Sequence, residues 1–394
     1  MRRILKIAAT ALAGGVALAS LPAAAQDKPD AYTIGAMLQL TGTAAASGVF
    51  QQNGIAIALD EINADGGING TPLAIVTEDQ GCNPRIGVNA MNKLVHVDHV
   101  PASMIGCSGV SLAAAPIAER SDVLLLNAGA VSPALANASP YLLNSIPLAN
   151  QQAKVMVDYA INTLNLKKFA VYYRNDDLGH DLNEFLEQEI PRQGGEYLGS
   201  ASYDTTATHH APQITRLKAM QPDAVFAATL GNETGTILKQ SFELRFTPVW
   251  VGYSGFENST TPRIGGEAAE GQFYTVNSSS DESGNMYPEA KHFYDEYQKR
   301  FDKSPSAVGY IALQYYEATH LLADAMRMVD SAKQPMTGDN IRKALLKLDG
   351  FKSVYGLTSF QENGEVLKPI MVKTIKDGKF EDVKLYTNEE VAGL

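Results

Sequence analysis

Cysteine is almost absent: the chain has 2 in 394 residues, which rules out a disulfide-dense scaffold. Basic residues are also in deficit, 32 Lys and Arg against 43 Asp and Glu, for a formal net charge of −11. Nucleic-acid binding rests on Lys and Arg neutralising phosphates, so this balance argues against a nucleic-acid partner. It argues equally against docking on anionic lipid, which needs basic clusters. The 33 Gly and 18 Pro follow no repeat, which excludes a collagen-like chain. No Walker A sequence occurs. The first strand-to-helix turn, Leu40-Thr41-Gly42-Thr43-Ala44, is not a dinucleotide fingerprint. Gly106-Cys107-Ser108-Gly109 and Gly252-Tyr253-Ser254-Gly255 approach a nucleophile elbow, but neither completes G-x-S-x-G. None of the 7 His sits in a zinc-protease motif; the adjacent His209 and His210 read as solvated loop residues, and no metal site or cofactor is expected.

What is present begins with an export signal. Arg2, Arg3 and Lys6 precede a small apolar run from Ile7 to Leu21, then Pro22 and Ala23-Ala24-Ala25. This is the order of a secretory signal peptide, residues 1–25, with cleavage expected after Ala25. The run is short for a membrane span, which needs about 20 apolar residues. Export places Cys82 and Cys107 in an oxidising compartment, where an even pair reads as a disulfide; the alternative is two buried thiols.

After the signal, strand and helix alternate. Tyr32–Leu40 is apolar and β-prone, Gly42–Gly48 reads as a loop of small residues, and Ile55, Leu59 and Ile62 share one helical face. Apolar strands with helices between them continue to Asn127, and a second series of about the same length runs from Gln152 to Val276. Such runs mark parallel sheets covered on both faces. Helices follow to beyond Thr337, where Asp339 falls in a first turn. The tail from Tyr355 reads as hairpins, with turns at Glu362-Asn363-Gly364 and Asp377-Gly378. Small polar residues gather after several strands: Ser108, Asn127 to Ser132, Thr229 to Asn232, and Tyr253 to Ser254. Open α/β sheets bind ligands outside the carboxyl ends of their strands. Hydroxyls and helix N-termini there can hold an anion, but make a poor catalyst without a base. The acidic pairs Asp176-Asp177 and Asp281-Glu282 read as solvated loops, Asp177 excepted.

Specific segments carry a family resemblance. They are Ala58-Leu59-Asp60-Glu61-Ile62-Asn63-Ala64-Asp65-Gly66-Gly67-Ile68-Asn69-Gly70, Glu78-Asp79 through Cys82-Asn83-Pro84, Lys93-Leu94-Val95, Ile105-Gly106-Cys107-Ser108-Gly109 with Ala113-Ala114-Ala115-Pro116, Asp177-Leu178-Gly179, and Glu267 through Gly271. Over nearly its whole length the chain resembles the leucine/isoleucine/valine-binding branch of periplasmic substrate-binding proteins, which serve ATP-driven importers. The resemblance implies an α/β type I fold of two lobes, each a parallel sheet flanked by helices, joined by a three-crossover hinge. Lobe 1 would span 31–149 plus 277–354, and lobe 2 150–276 plus 355–394. It implies a monomeric, non-enzymatic periplasmic receptor working with a membrane permease, and it supports the Cys82–Cys107 pairing.

The resemblance also assigns site residues. Ser108 matches a serine that grips a ligand carboxylate, and Gly129-Ala130-Val131 a second grip. Val131 stands for a usual threonine, Leu178 for a tyrosine, Leu230 and Ser47 for aromatic residues, and Ser254 for the acid that pairs the ligand's ammonium. Glu257 is the nearest acid along that loop, with Asp177 a second candidate. These departures shift the expected ligand from a branched-chain amino acid toward a small carboxylate with an apolar or aromatic body. An exported hydrolase using Ser108 or Ser254, or a ligand-sensing regulator of the same fold, are the rival classes.

Non-reduced peptide mapping of the exported protein should recover one cross-linked Cys82–Cys107 peptide. Two free thiols would exclude the bridge, and Cys82→Ser should destabilise the protein by about 3 kcal/mol on the chain-entropy account of such a loop.

Overall fold

A computed structural model describes residues 29–42, 45–302, 305–348 and 351–394. The expected signal segment, 1–25, and its cleavage site lie outside the described residues.

The first sheet takes its strands from β1 (Tyr32–Leu38), β2 (Leu73–Asp79), β3 (Ala102–Ile105), β4 (Leu124–Asn127) and β5 (Leu142–Asn144). All pair in parallel, in the order β2-β1-β3-β4-β5. Helices α1 (Ala45–Ala64), α2 (Pro84–His96) and α3 (Ser108–Arg120) connect them. The strands are apolar on both sides because both sides are covered. Ile34, Ala36 and Leu38 enter one core cluster and Met37 the other; Leu124 and Leu126 likewise part from Leu125. This is the two-residue period of a strand sorting side chains between two helix layers.

The second sheet repeats the plan. After α4 (Ala149–Asn162) come β6 (Lys168–Arg174), α5 (Asp177–Arg192), β7 (Glu196–Tyr203), α6 (Ala211–Ala219), β8 (Ala224–Ala228), α7 (Asn232–Glu243), β9 (Val249–Gly252), α8 (Thr260–Gly265) and β10 (Phe273–Asn277). The parallel part runs β7-β6-β8-β9-β10, the same order as in the first sheet. Helices α9 (Pro288–Phe301), α10 (Pro305–Ser331) and α11 (Gly338–Leu346) then return to the first unit, where α10 packs along α1. A small sheet of β11 (Phe351–Ser353), β12 (Gly356–Phe360) and β13 (Val366–Leu367) follows. Finally β14 (Ile370–Lys376) and β15 (Lys379–Tyr386) add an antiparallel hairpin to the second sheet beside β10, and α12 (Asn388–Gly393) closes the chain. Phe360 and Val366 pack in the core of the first unit and Ile370 in that of the second.

Turn chemistry reads through clearly. Asp377 and Gly378 have φ of +50° and +68°, the left-handed pair that a two-residue hairpin between Lys376 and Lys379 needs. Two sequence readings are corrected. Residues 45–48 form the first turn of α1, not a loop. Gly48 is there because a side chain would collide with the Gln39 carbonyl at the end of β1, a close approach and not a turn. His210 is buried, with Nδ1 2.7 Å from Tyr172 Oη, so only its neighbour fits the solvated reading. Burial, then the nearby His209, lowers its pKa.

Helices α1, α9 and α10 are also tied by charge. Glu61 on α1 receives a hydrogen bond from Tyr316 Oη at 2.8 Å and faces His292 at 2.9 Å and His320 at 3.5 Å. Burial pushes its carboxyl up, but the His320, Tyr316 and His292 contacts outweigh that and hold its pKa at about 2. A carboxyl held below its unfolded value, about 4.3, adds stability at higher pH and loses it as pH falls through the folded pKa. Glu61→Gln should therefore lower the melting temperature near neutral pH and flatten the loss of stability between about pH 4.5 and pH 2. Parallel acid melting curves for the two proteins would refute this clamp.

Candidate functional site

The carboxyl ends of both parallel sheets face one cavity. In the first sheet, β1 leads to Gln39, β3 to Cys107 and Ser108, and β4 to Gly129, Ala130 and Val131. In the second, β6 leads to Asp176, Asp177 and Leu178, β8 to Leu230, β9 to Tyr253 and Ser254, and β10 to Asn277. These residues, with Tyr310 and Gln314 from α10, line a cavity of about 370 Å³. Its place between β1 and β3, and between β6 and β8, is the point of each sheet where the strand order reverses, the usual ligand crevice of such folds.

Ser108 is the first residue of α3, so its hydroxyl and the opening amides of a 13-residue helix meet at the cavity wall. The preceding Cys107 has φ +62° and is bridged to Cys82, with Cα atoms 5.6 Å apart. Gln39 Nε2 donates to Cys107 Sγ at 2.8 Å. The bridge fixes the turn that aims α3. Gly106 completes the arrangement, since a Cβ there would lie 2.7 Å from Tyr315 Oη.

The loop after β4 is held by Asn127, which is fully buried. Its Oδ1 accepts from Gly129 N at 3.1 Å and Ala130 N at 2.8 Å, and its Nδ2 donates to Ala130 O at 2.7 Å and Asn144 Oδ1 at 2.8 Å. Two of the three amides expected to grip a ligand are thus engaged within the protein, and Val131 follows them in the cavity lining. Ser132 N donates weakly to Ser108 Oγ at 3.4 Å, and Ser132 Oγ reaches across to Asp181 Oδ2 of α5 at 2.8 Å.

On the opposite wall Asp176 is not a loop acid. It caps α5 by accepting from Gly179 N at 3.0 Å and pairs with Arg174 Nε at 2.6 Å. Gly179 is required because a side chain would strike the Arg174 carbonyl. Asp177 is exposed at the cavity's edge. Ser254 N donates to Oε1 of the buried Gln152 at 3.0 Å, which fixes the β9 loop. Leu178, Leu230, Val131 and Ile146 make much of the remaining lining apolar.

The structure separates the other two expected residues from this group. Ser47 and Glu257 line an adjoining cavity of about 530 Å³, which shares Asn277 and Tyr310 with the first. Glu257 pairs there with Lys373 Nζ at 3.1 Å, and Lys373 also meets Asp382 at 3.3 Å. Sequence reasoning missed Gln39, Asn277, Tyr310 and Gln314. Asn277 obeys the strand-end rule applied elsewhere; Tyr310 and Gln314 carry no local signal. Among the described residues, Tyr253 Oη, Asn277 Oδ1 and Gln314 Oε1 are buried without a hydrogen-bond partner. Burial holds the Tyr253 hydroxyl neutral by raising its pKa. Among the described residues no His or Lys lines the first cavity; its acids are Asp176, held by Arg174 and Gly179, and the exposed Asp177 at the edge. No cluster of metal ligands occurs among the described residues, and none of their helices is long and apolar enough to cross a membrane.

Residues 31–379 match the Periplasmic binding protein family. The chain belongs to that family. It is placed thereby among binding proteins and not enzymes. It is 26% identical over 362 residues to the Leucine-specific-binding protein of Salmonella typhimurium, spanning 91% of this chain and 94% of that one. The branched-chain amino acid transporter substrate binding protein of Streptococcus pneumoniae, solved with isoleucine, superposes with a TM-score of 0.76 at 25% identity, covering 91% of this chain and 99% of that one. A solute binding protein of an ABC transporter from Rhodopseudomonas palustris, solved with 3,4-dihydroxy benzoic acid, gives the same TM-score of 0.76 at 21% identity, with coverage of 91% and 98%. The type I fold is therefore established for this periplasmic binding protein.

Asn127→Ala should free the exposed Gly129 and the buried Ala130 amides and destabilise the protein by about 1–3 kcal/mol, the scale for leaving a buried donor unpaired. Chemical denaturation measures it; a change under about 0.5 kcal/mol, the level of a neutral surface substitution, would show that the loop does not depend on this side chain.

Proposed function

We propose that the protein is the exported, periplasmic solute-binding component of an ABC importer, closing its two lobes about a hinge on a small carboxylate with an apolar or aromatic body and presenting it to a membrane permease. The observation that carries this reading is that Ser108, at the N-terminus of α3, and Val131 line one cavity together with the apolar Leu178, Leu230 and Ile146. An anion is favoured at a helix N-terminus by its free N–H groups and dipole. An α-ammonium finds no fixed acid beside it: Ser254 is neutral, Asp176 is committed to Arg174 and Gly179, and Glu257 lines the adjoining cavity instead. Burying an ammonium without a partner costs several kcal/mol. One observation favours a branched-chain amino acid instead, namely the exposed Asp177 at the cavity's edge, within reach of a ligand that enters amine-last. The two solved relatives carry ligands of both kinds, so the choice rests on these side chains.

Calorimetry of leucine, valine and phenylalanine against their deaminated analogues tests the reading. Carboxylates lacking the amine should bind at least as tightly as the amino acids. Ser108→Ala should weaken the bound acid by about 1–3 kcal/mol, the loss expected for a hydrogen bond to a charged group. Micromolar binding of leucine, about −8 kcal/mol, with none of its analogue would overturn the preference. Unchanged affinity in Ser108→Ala would overturn the placement of the site.

A further inference from the structure

The adjoining cavity is built from both units, and its two walls differ in character. From the first unit come the rings of Phe50, Tyr294, Tyr310 and Tyr355, with Phe380 from the second. The facing wall, from the second unit, holds Glu257, Lys373 and Asp382. Lys373 and Asp382 are directly opposite one another on β14 and β15, and Glu257 approaches Lys373 from the β9 loop. One cation between two carboxylates leaves the wall a net negative charge. Burial, and secondarily the Glu257 carboxylate, raises the Tyr294 and Tyr310 hydroxyls to about 12, so both stay neutral. Aromatic faces opposite a surplus carboxylate make a setting for a cation, attracted by the ring quadrupoles on one side and by charge on the other. Tyr310 and Asn277 line both cavities, and the buried Oδ1 of Asn277 is an unpaired acceptor.

We infer that the ligand is longer than a simple α-amino acid and is zwitterionic end to end: its carboxylate sits at Ser108 and α3, its apolar spacer passes Asn277 and Tyr310, and a terminal ammonium or substituted ammonium occupies the aromatic chamber against Glu257, Lys373 and Asp382. This rests on the carboxylate site proposed above and adds the chamber to it. The chamber then accounts for Glu257 as a counter-charge, acting on the far end of the ligand and not on an α-ammonium.

Titration calorimetry with δ-aminovalerate and ε-aminocaproate, each against valerate and caproate, separates the two claims. At least one aminocarboxylate should bind about tenfold tighter than its deaminated partner. Asp382→Asn should erase that preference while leaving affinity for the deaminated acid within about twofold. Phe50→Leu, on the opposite wall, should reduce the preference in the same way, and thermal melting of the ligand-free variants verifies that both fold. Aminocarboxylates that bind no better than their analogues, with Ser108→Ala still weakening caproate, would overturn the chamber and leave the carboxylate site standing. A preference that survives Asp382→Asn and Phe50→Leu would also overturn it. Failure of every carboxylate, leucine included, to bind would overturn both readings together.

Discussion

Parallel strands place all their carboxyl ends on one edge, and the rest of the molecule follows from doing this twice. Each sheet has the order 2-1-3-4-5 in its own strand sequence, so each has one gap where successive connections leave in opposite directions. Opposing the two edges brings together loops that are far apart in the chain, Ser108 and Ser254 among them. Once the strands are covered on both faces, the core has no freedom left to vary function. Only the loops do.

Within that edge, most polar groups are already committed to building the site. Asn127 consumes two loop amides, Gln152 takes the amide of Ser254, and Asp176 is spent on a helix cap and an arginine. A ligand therefore meets a short set of open groups against an apolar wall. Such a site holds its few donors and acceptors in place before binding, which reduces the ordering cost on closure. Charge follows the same economy. Among the described residues no Lys or Arg lines the first cavity, so an anion bound there would rely on helix N–H groups and a hydroxyl. Among the described residues lining the adjoining chamber the one cation, the half-buried Lys373, is outnumbered by its carboxylate partners.

The architecture was legible because it is encoded locally. Apolar strands, a left-handed Asp377-Gly378 turn and the Thr337 cap, whose hydroxyl accepts from Asn340 N, each act within a few residues. Ser108, Val131 and Leu230 fall in segments read as strand ends, whereas Leu178 was reached only through the family resemblance. Gln314 and Tyr310 were not. Helix α10 is plain in the sequence, but which of its faces reaches the cleft depends on how it packs on α1, a contact across about 250 positions. Glu257 shows the opposite failure. Nearness along the loop suggested nearness to Ser254, yet the intervening turn Ser254–Phe256 buries Phe256 completely and carries Glu257 round to the other chamber.

The third passage between the units carries a constraint of its own. Lys368, between β13 and β14, is fully buried and pairs with Glu317 of α10 at 2.5 Å, with its ammonium 4.9 Å from the Tyr355 ring. Burial lowers the lysine's pKa, and Glu317 pushes back. A pair this deep has already incurred the desolvation of both charges; separating them in the same environment would leave each uncompensated, a loss on the order of 3–5 kcal/mol. Closure that drew Lys368 away from α10 would have to supply that energy from ligand contacts. Rotation about the pair costs none of it. The closure proposed above would therefore leave Lys368 seated on α10, with the backbone on either side absorbing the change. Tyr355 belongs to both ends of this arrangement, stacked near the fixed cation and lining the chamber beside the cleft. The wall that would receive the ligand's far end is thus tied, through Tyr355, to the buried Lys368–Glu317 pair at the third crossover.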